Sequence, residues 1–192
     1  MVPDSVWGRF PPEARERGIN KLEWYNEKFG ADTVKGFEPR LRAAFAKAGI
    51  EGTYTLEGNI GPTFDAHRLA TYAGSLEPAE TGASAVKQND FMEAMFERYF
   101  IKSLAPCEKD VMLDAARAAS LDVDKCKEIL SSADFTLETE DEMRAHARGI
   151  NGVPHFIISN GSRRLQFGGA QPPEVFIDAI EQLLGGETLL DD

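Results

Sequence analysis

The chain has 192 residues, 42% of them hydrophobic and 28% charged, which suits one compact domain, or a core domain with an insertion, and is too apolar for disorder. Its 21 lysines and arginines stand against 32 aspartates and glutamates, a net charge of −11, the wrong sign for neutralising nucleic-acid phosphates. No apolar run nears the roughly 20 residues of a membrane-spanning helix, and Met1 to Phe10, with Pro3, Asp4 and Arg9, has no greasy secretory core, so a cytoplasmic protein is expected.

Pro3, Pro11 and Pro12 make the opening to Gly18 irregular. Asn20 and Glu23 have capping-box spacing, and Leu22, Tyr25 and Phe29 follow helical periodicity until Gly30. A second helix is predicted from Asp32 to about Ala48, with Val34, Phe37, Leu41, Ala44, Phe45 and Ala48 on one face; Pro39 predicts a kink or a late start. Tyr54 to Leu56 reads as a short extended piece.

From Pro62 to Ile150 the pattern is helical. Thr63 or Asp65 caps a helix through Tyr72, and Glu77 to Gln88 reads as a loop. Asn89 is the predicted cap of an amphipathic helix with Met92, Met95, Phe96, Tyr99 and Phe100 on its apolar face. Val111, Met112, Ala115, Ala116 and Ala119 mark the next helix; Val123, Cys126, Ile129 and Leu130 mark another, with Cys126 on the buried side. Thr139 with Glu142 predicts one more capped helix, closed by Gly149. The period then changes. His155 to Ser159 and Leu165 to Phe167 read as strands around an Asn160-Gly161 turn. Pro172 and Pro173 open a last helix with Phe176, Ile180, Leu183 and Leu184 as its stripe, followed by an acidic tail.

The segment Gly149-Ile150-Asn151-Gly152-Val153-Pro154-His155-Phe156 joins a helix stop, a Gly-Val-Pro tripeptide and a buried strand. A proline opening a strand loses no ladder donor, and a cis bond there would expose the main chain of Val153 as an edge for strand addition. Two further motifs accompany it: Gly168-Gly169-Ala170-Gln171 after the hairpin, and Phe64-Asp65-Ala66-His67-Arg68-Leu69 upstream. Together, in this order, they resemble the FrnE-type subgroup of the DsbA-like thioredoxin-fold family. The resemblance implies an α/β, thioredoxin-like (DsbA-type) fold with a large helical insertion. Residues 1–61 would be the segment after a first β-α-β unit, 62–150 the insertion, 151–185 the C-terminal hairpin and final helix, and 186–192 the acidic tail.

The activity implied is thiol-disulfide oxidoreduction, with Gly152, Val153, Pro154 and His155 binding substrate and His67 and Gln171 supporting them from behind. The family's Cys-x-x-Cys, at the N-terminus of its first helix, has no counterpart here, so the chain reads as truncated at the first β-α-β unit and no catalytic residue is assigned. Two related readings keep the fold: a glutathione-dependent transferase or isomerase of the kappa-class type, and a non-catalytic binding module. The implied partner is a thiol or disulfide protein, or glutathione as a substrate rather than a cofactor, with a homodimer through an open sheet edge as a further expectation.

The remaining candidates have plainer readings. Cys107 and Cys126 are 19 positions apart and read as two free thiols. Cys107, after Pro106 near a helix start, sits where a helix dipole could lower its pKa, but it has no resolving partner and reads as an ordinary exposed thiol. His67 has no second ligand at metal-binding spacing and is read as packing its helix. The acidic residues around Glu138 to Glu142 suit a helix start rather than a metal site.

Overall fold

Cap chemistry fixes the first boundaries. In the computed structural model, which describes residues 10–52, 54–76, 84–150 and 152–185, a short α1 (Ala14–Arg17) leads to β1 (Ile19–Asn20) and α2 (Lys21–Phe29). The Asn20 side chain accepts the Glu23 amide at 2.9 Å, as its spacing predicts, and Gly30 ends the helix at φ 83°. The expected apolar face is not the buried one. Leu22 and Phe29 are exposed, whereas Lys21 has no exposed surface at all.

The predicted second helix is split into α3 (Ala31–Val34) and α4 (Phe37–Lys47). Pro39 lies in the first turn of α4, where a missing backbone donor costs nothing. Val34 is buried, Phe37, Leu41 and Phe45 are partly so, and Ala44 and Ala48 are exposed. Tyr54 and Leu56 are buried and belong to no strand. The strand falls instead at β2 (Asn59–Ile60), antiparallel to β1 with Ile19 opposite Ile60.

Four helices follow: α5 (Phe64–Ser75), α6 (Ser84–Phe96), α7 (Lys109–Ala118) and α8 (Val123–Ser131). Their core is Leu69, Phe91, Met112, Ala115, Cys126 and Ile129, with small alanines between the larger side chains. The opening to Arg9, the first part of the predicted 77–88 loop and the 186–192 tail lie outside the described residues. Within them, residues 84–88 are already helical, so Asn89 lies inside α6 rather than capping it. The α6 face turns on Phe91 and Met95, with Phe96 exposed, and a π-helix at Glu97–Ile101 re-aims Tyr99 and Phe100. In α9 (Thr136–Ala147) the start is three residues earlier than predicted, and Thr139 donates to Thr71 Oγ1 at 3.2 Å instead of capping.

Arg68 organises this bundle. Its side chain is fully buried and pairs with Asp65 at 2.7 Å. Its Nη2 donates to the carbonyls of Ile129 and Ser132 at 2.5 and 2.8 Å, and its Nε to that of Asp134 at 3.0 Å. A guanidinium from α5 thus satisfies the open carbonyls at the C-terminus of α8.

The chain divides into two compact units, Met1–Asp141 and Glu142–Asp192. The second is built on the hairpin of β3 (His155–Ser159) and β4 (Arg164–Gly168), with α10 (Pro173–Leu184) against it. Phe156 and Phe167 face each other across the strands, and Phe176 of α10 meets both edge-on at 4.8 and 5.0 Å. On α10, Ala179 and Leu183 are buried while Ile180 and Leu184 of the predicted stripe are largely exposed. Among the described residues no helix is long and apolar enough to cross a membrane.

Replacing Arg68 by methionine leaves three carbonyls and the Asp65 carboxylate without their buried donor. The unfolding free energy from urea titration is expected to fall by roughly 3–5 kcal/mol. Arg68→Lys should recover only part of this, because one ammonium cannot reproduce the planar fork.

Candidate functional site

The candidate segment is held from one side and bare on the other. Gly149, at φ 75°, lies just past the end of α9, and the chain bends through Gly152, Val153 and Pro154 into β3. The Val153–Pro154 peptide bond is cis. The Gly168-Gly169-Ala170-Gln171 motif has a direct structural use here. Gly169, at φ 83°, turns its amide onto the Pro154 carbonyl at 2.8 Å, and Gln171 Nε2 donates back to the Gly168 carbonyl at 2.8 Å. His155 is half-buried and opposite Gly168 in the strand register. Two residues earlier, Val153 is 90% exposed, and neither its amide nor its carbonyl has a hydrogen-bond partner among the described residues.

Gly152, Val153, Pro154, His155 and Gln171 therefore come together around one end of the hairpin. His67 lies on the exposed side of α5, in the first unit. The packing role expected of it belongs to its neighbour Arg68, whose fork reaches carbonyls that periodicity does not reveal. At the other end of the hairpin, the turn does more than reverse the chain. Asn160 Nδ2 donates to the Leu183 carbonyl and Arg163 Nη1 to that of Gln182, both at 2.8 Å. The turn thereby caps the C-terminus of α10, a role the Asn-Gly signal does not announce.

The cysteines are free and both are buried. For Cys107 this corrects the expectation of an ordinary exposed thiol. Its neighbour Gly61 has no room for a side chain, because a Cβ there would collide with the Cys107 sulfur. Burial pushes the Cys107 thiol up to about 11, with the Glu108 carboxylate adding to the effect. Burial likewise raises Cys126 to about 11, helped by Asp122. A cavity of about 500 Å³ opens beside Cys107, with Arg15, Arg17, Asp65, Glu108, Lys109 and Asp110 among its walls. Its walls mix cations and carboxylates and favour no one charge class.

A hairpin opened by Gly-Val-Pro, pinned by Gly-Ala-Gln and backed by a final helix agrees with what the family comparison finds. The family model of the DSBA-like thioredoxin domain matches residues 25–181. The chain belongs to this family. No curated protein matches it. As a DSBA-like thioredoxin domain it has an α/β, thioredoxin-like fold that is here mostly helical, with two small two-stranded sheets among the described residues. The match covers both the α5–α8 bundle and the Pro154 hairpin.

A thiol near pH 11 holds about a hundredth of the thiolate of an ordinary cysteine at neutral pH. In the native protein at pH 7.5, labelling of Cys107 and Cys126 by a chromogenic disulfide reagent is expected to run at least about a hundredfold slower than in urea. Two thiols should be released on unfolding.

Proposed function

We propose that this DSBA-like thioredoxin domain is of the FrnE type and serves thiol-disulfide exchange by holding the substrate chain along Gly152, Val153, Pro154 and His155. The observation that carries this reading is the exposed and unpaired main chain of Val153, directly ahead of β3. An extended peptide laid there gains backbone hydrogen bonds by strand addition, with no demand on its side chains. The chemistry is attack of a thiolate on a disulfide sulfur, giving a mixed disulfide and releasing the other sulfur as a thiolate, followed by resolution with a second thiol.

Neither Cys107 nor Cys126 suits the attacking role, being buried, protonated and too far apart in sequence for a Cys-x-x-Cys. The reading therefore takes the attacking dithiol from outside these residues, in a β-α-β unit of the family type facing Pro154. Two unpaired thiols accord with a reducing cytosol, where we place the activity. Burial of both thiols also favours a second reading, a binding module of the same fold without redox chemistry.

With insulin and dithiothreitol, the chain alone is expected to leave the reduction rate at background. An unfolded cysteine-containing peptide should slow hydrogen exchange at residues 152–156. Turnover above background that Cys107→Ser abolishes would overturn the assignment of the dithiol, and absence of peptide protection would overturn the holding role. Adding a Cys-x-x-Cys β-α-β unit from a DSBA-like domain separates the two readings: turnover appears for the oxidoreductase and not for the binding module. Equal protection by glutathione would instead favour the glutathione-dependent class.

A further inference from the structure

The first unit holds a buried amine without an anion. Lys21 opens α2, its own amide bonded to the Gly58 carbonyl at 3.1 Å beside the β1–β2 pair. Its side chain is 0% exposed. Its Nζ lies 4.6 Å from the centre of the Tyr99 ring and 5.5 Å from that of Tyr54, and its one hydrogen bond is to the Thr55 carbonyl at 3.5 Å. No carboxylate among the described residues pairs with it. Aromatic faces and one long hydrogen bond return only part of the solvation an ammonium loses on burial.

The nearby groups are neutral, already engaged or, for Glu57, exposed to solvent. From α2 itself, Tyr25 shares a hydrogen bond with the Tyr99 hydroxyl at 3.2 Å. From the π-helix, Glu97 is paired with Lys102 and Arg98. From α4, Glu38 is paired with Arg42 and accepts the Leu56 amide at 3.2 Å, while Arg42 donates to the Tyr54 carbonyl at 3.0 Å. Glu57, beyond Tyr54 and Thr55, is exposed. Moving Glu38 to Lys21 would break its contact with the Leu56 amide, which shapes the same sub-core.

We propose that Lys21 is a proton-operated latch, loosening the packing of β1, α2 and the π-helix around Tyr54 when its amine is charged and tightening it when the amine is neutral. Burial lowers the Lys21 pKa below 10.5. The unfolded chain therefore binds this proton more tightly than the folded one, and stability rises as pH climbs from the folded value toward 10.5. Tyr54 and Tyr99 act in the opposite sense. Burial holds their pKa values above the ordinary 10.0, so ionisation of the unfolded phenols erodes stability above pH 10. The latch closes in a window bounded below by the lowered pKa of the amine and above by the ionisation of the phenols.

The test compares wild type with Lys21→Met, which keeps the stem and removes the proton. Unfolding constants from urea titration are measured from pH 7 to 11. Between pH 7.5 and 10 the ratio of the wild-type constant to that of the variant is expected to fall about tenfold for each unit by which Lys21 is depressed. Both proteins should lose stability above pH 10. A ratio that stays flat overturns the latch. The ¹³Cε titration of Lys21 in the unaltered protein decides the matter even if the variant does not fold: a midpoint below that of the exposed lysines supports the proposal, and one at or above it overturns it.

Discussion

The fork of Arg68 ties together three stretches of chain that share no strand and no continuous helix. Its nitrogens reach the end of α8, the turn before α9 and the carboxylate of Asp65 on its own helix. Ridges of alanine let α5, α6, α7 and α8 approach closely, but apolar packing is non-directional and leaves the C-terminal carbonyls of α8 to be satisfied. A guanidinium supplies several donors in a fixed plane, so one side chain both closes that helix and sets its position against α5. Arg98 repeats the device on a smaller scale, joining the end of α6 to Asp114 of α7 with a forked pair at 2.9 and 2.7 Å.

The second unit works on a different plan. Three phenylalanines give the hairpin an apolar face, and polar side chains at its two ends finish the backbone. Asn160 and Arg163 cap α10 at one end, while Gly169 and Gln171 hold the Pro154 loop at the other. Val153 is exposed and its main chain has no hydrogen-bond partner among the described residues, and such a residue at the mouth of a strand is what a partner chain can add to. Both cysteines belong to the first unit and are buried there.

Much of this was legible in the residues. The Asn20 cap, the helices over α7 and α8, the burial of Cys126, the two hairpin strands and the start of α10 all follow from local rules of capping, turn chemistry and period. Pro39 announced a late helix start and produced one. The misses share a cause. Asn89 and Thr139 have the right chemistry for caps, but α6 and α9 gained more by extending past them, with Thr139 finding Thr71 across the bundle. Leu22, Phe29, Ile180 and Leu184 have the right period, yet which side of an amphipathic helix is covered depends on what packs there.

By itself, then, the sequence determined the element types, the family and the Gly-Val-Pro and Gly-Ala-Gln motifs, because these depend on backbone preferences that act over a few residues. Only the tertiary structure decided that Arg68 is the buried anchor of the α5 motif, that Lys21 lies buried among tyrosines with no carboxylate partner among the described residues, and that Cys107 is sealed against Gly61. Each of these rests on contacts between segments tens of residues apart, where desolvation and hydrogen-bond satisfaction, not local propensity, set the outcome.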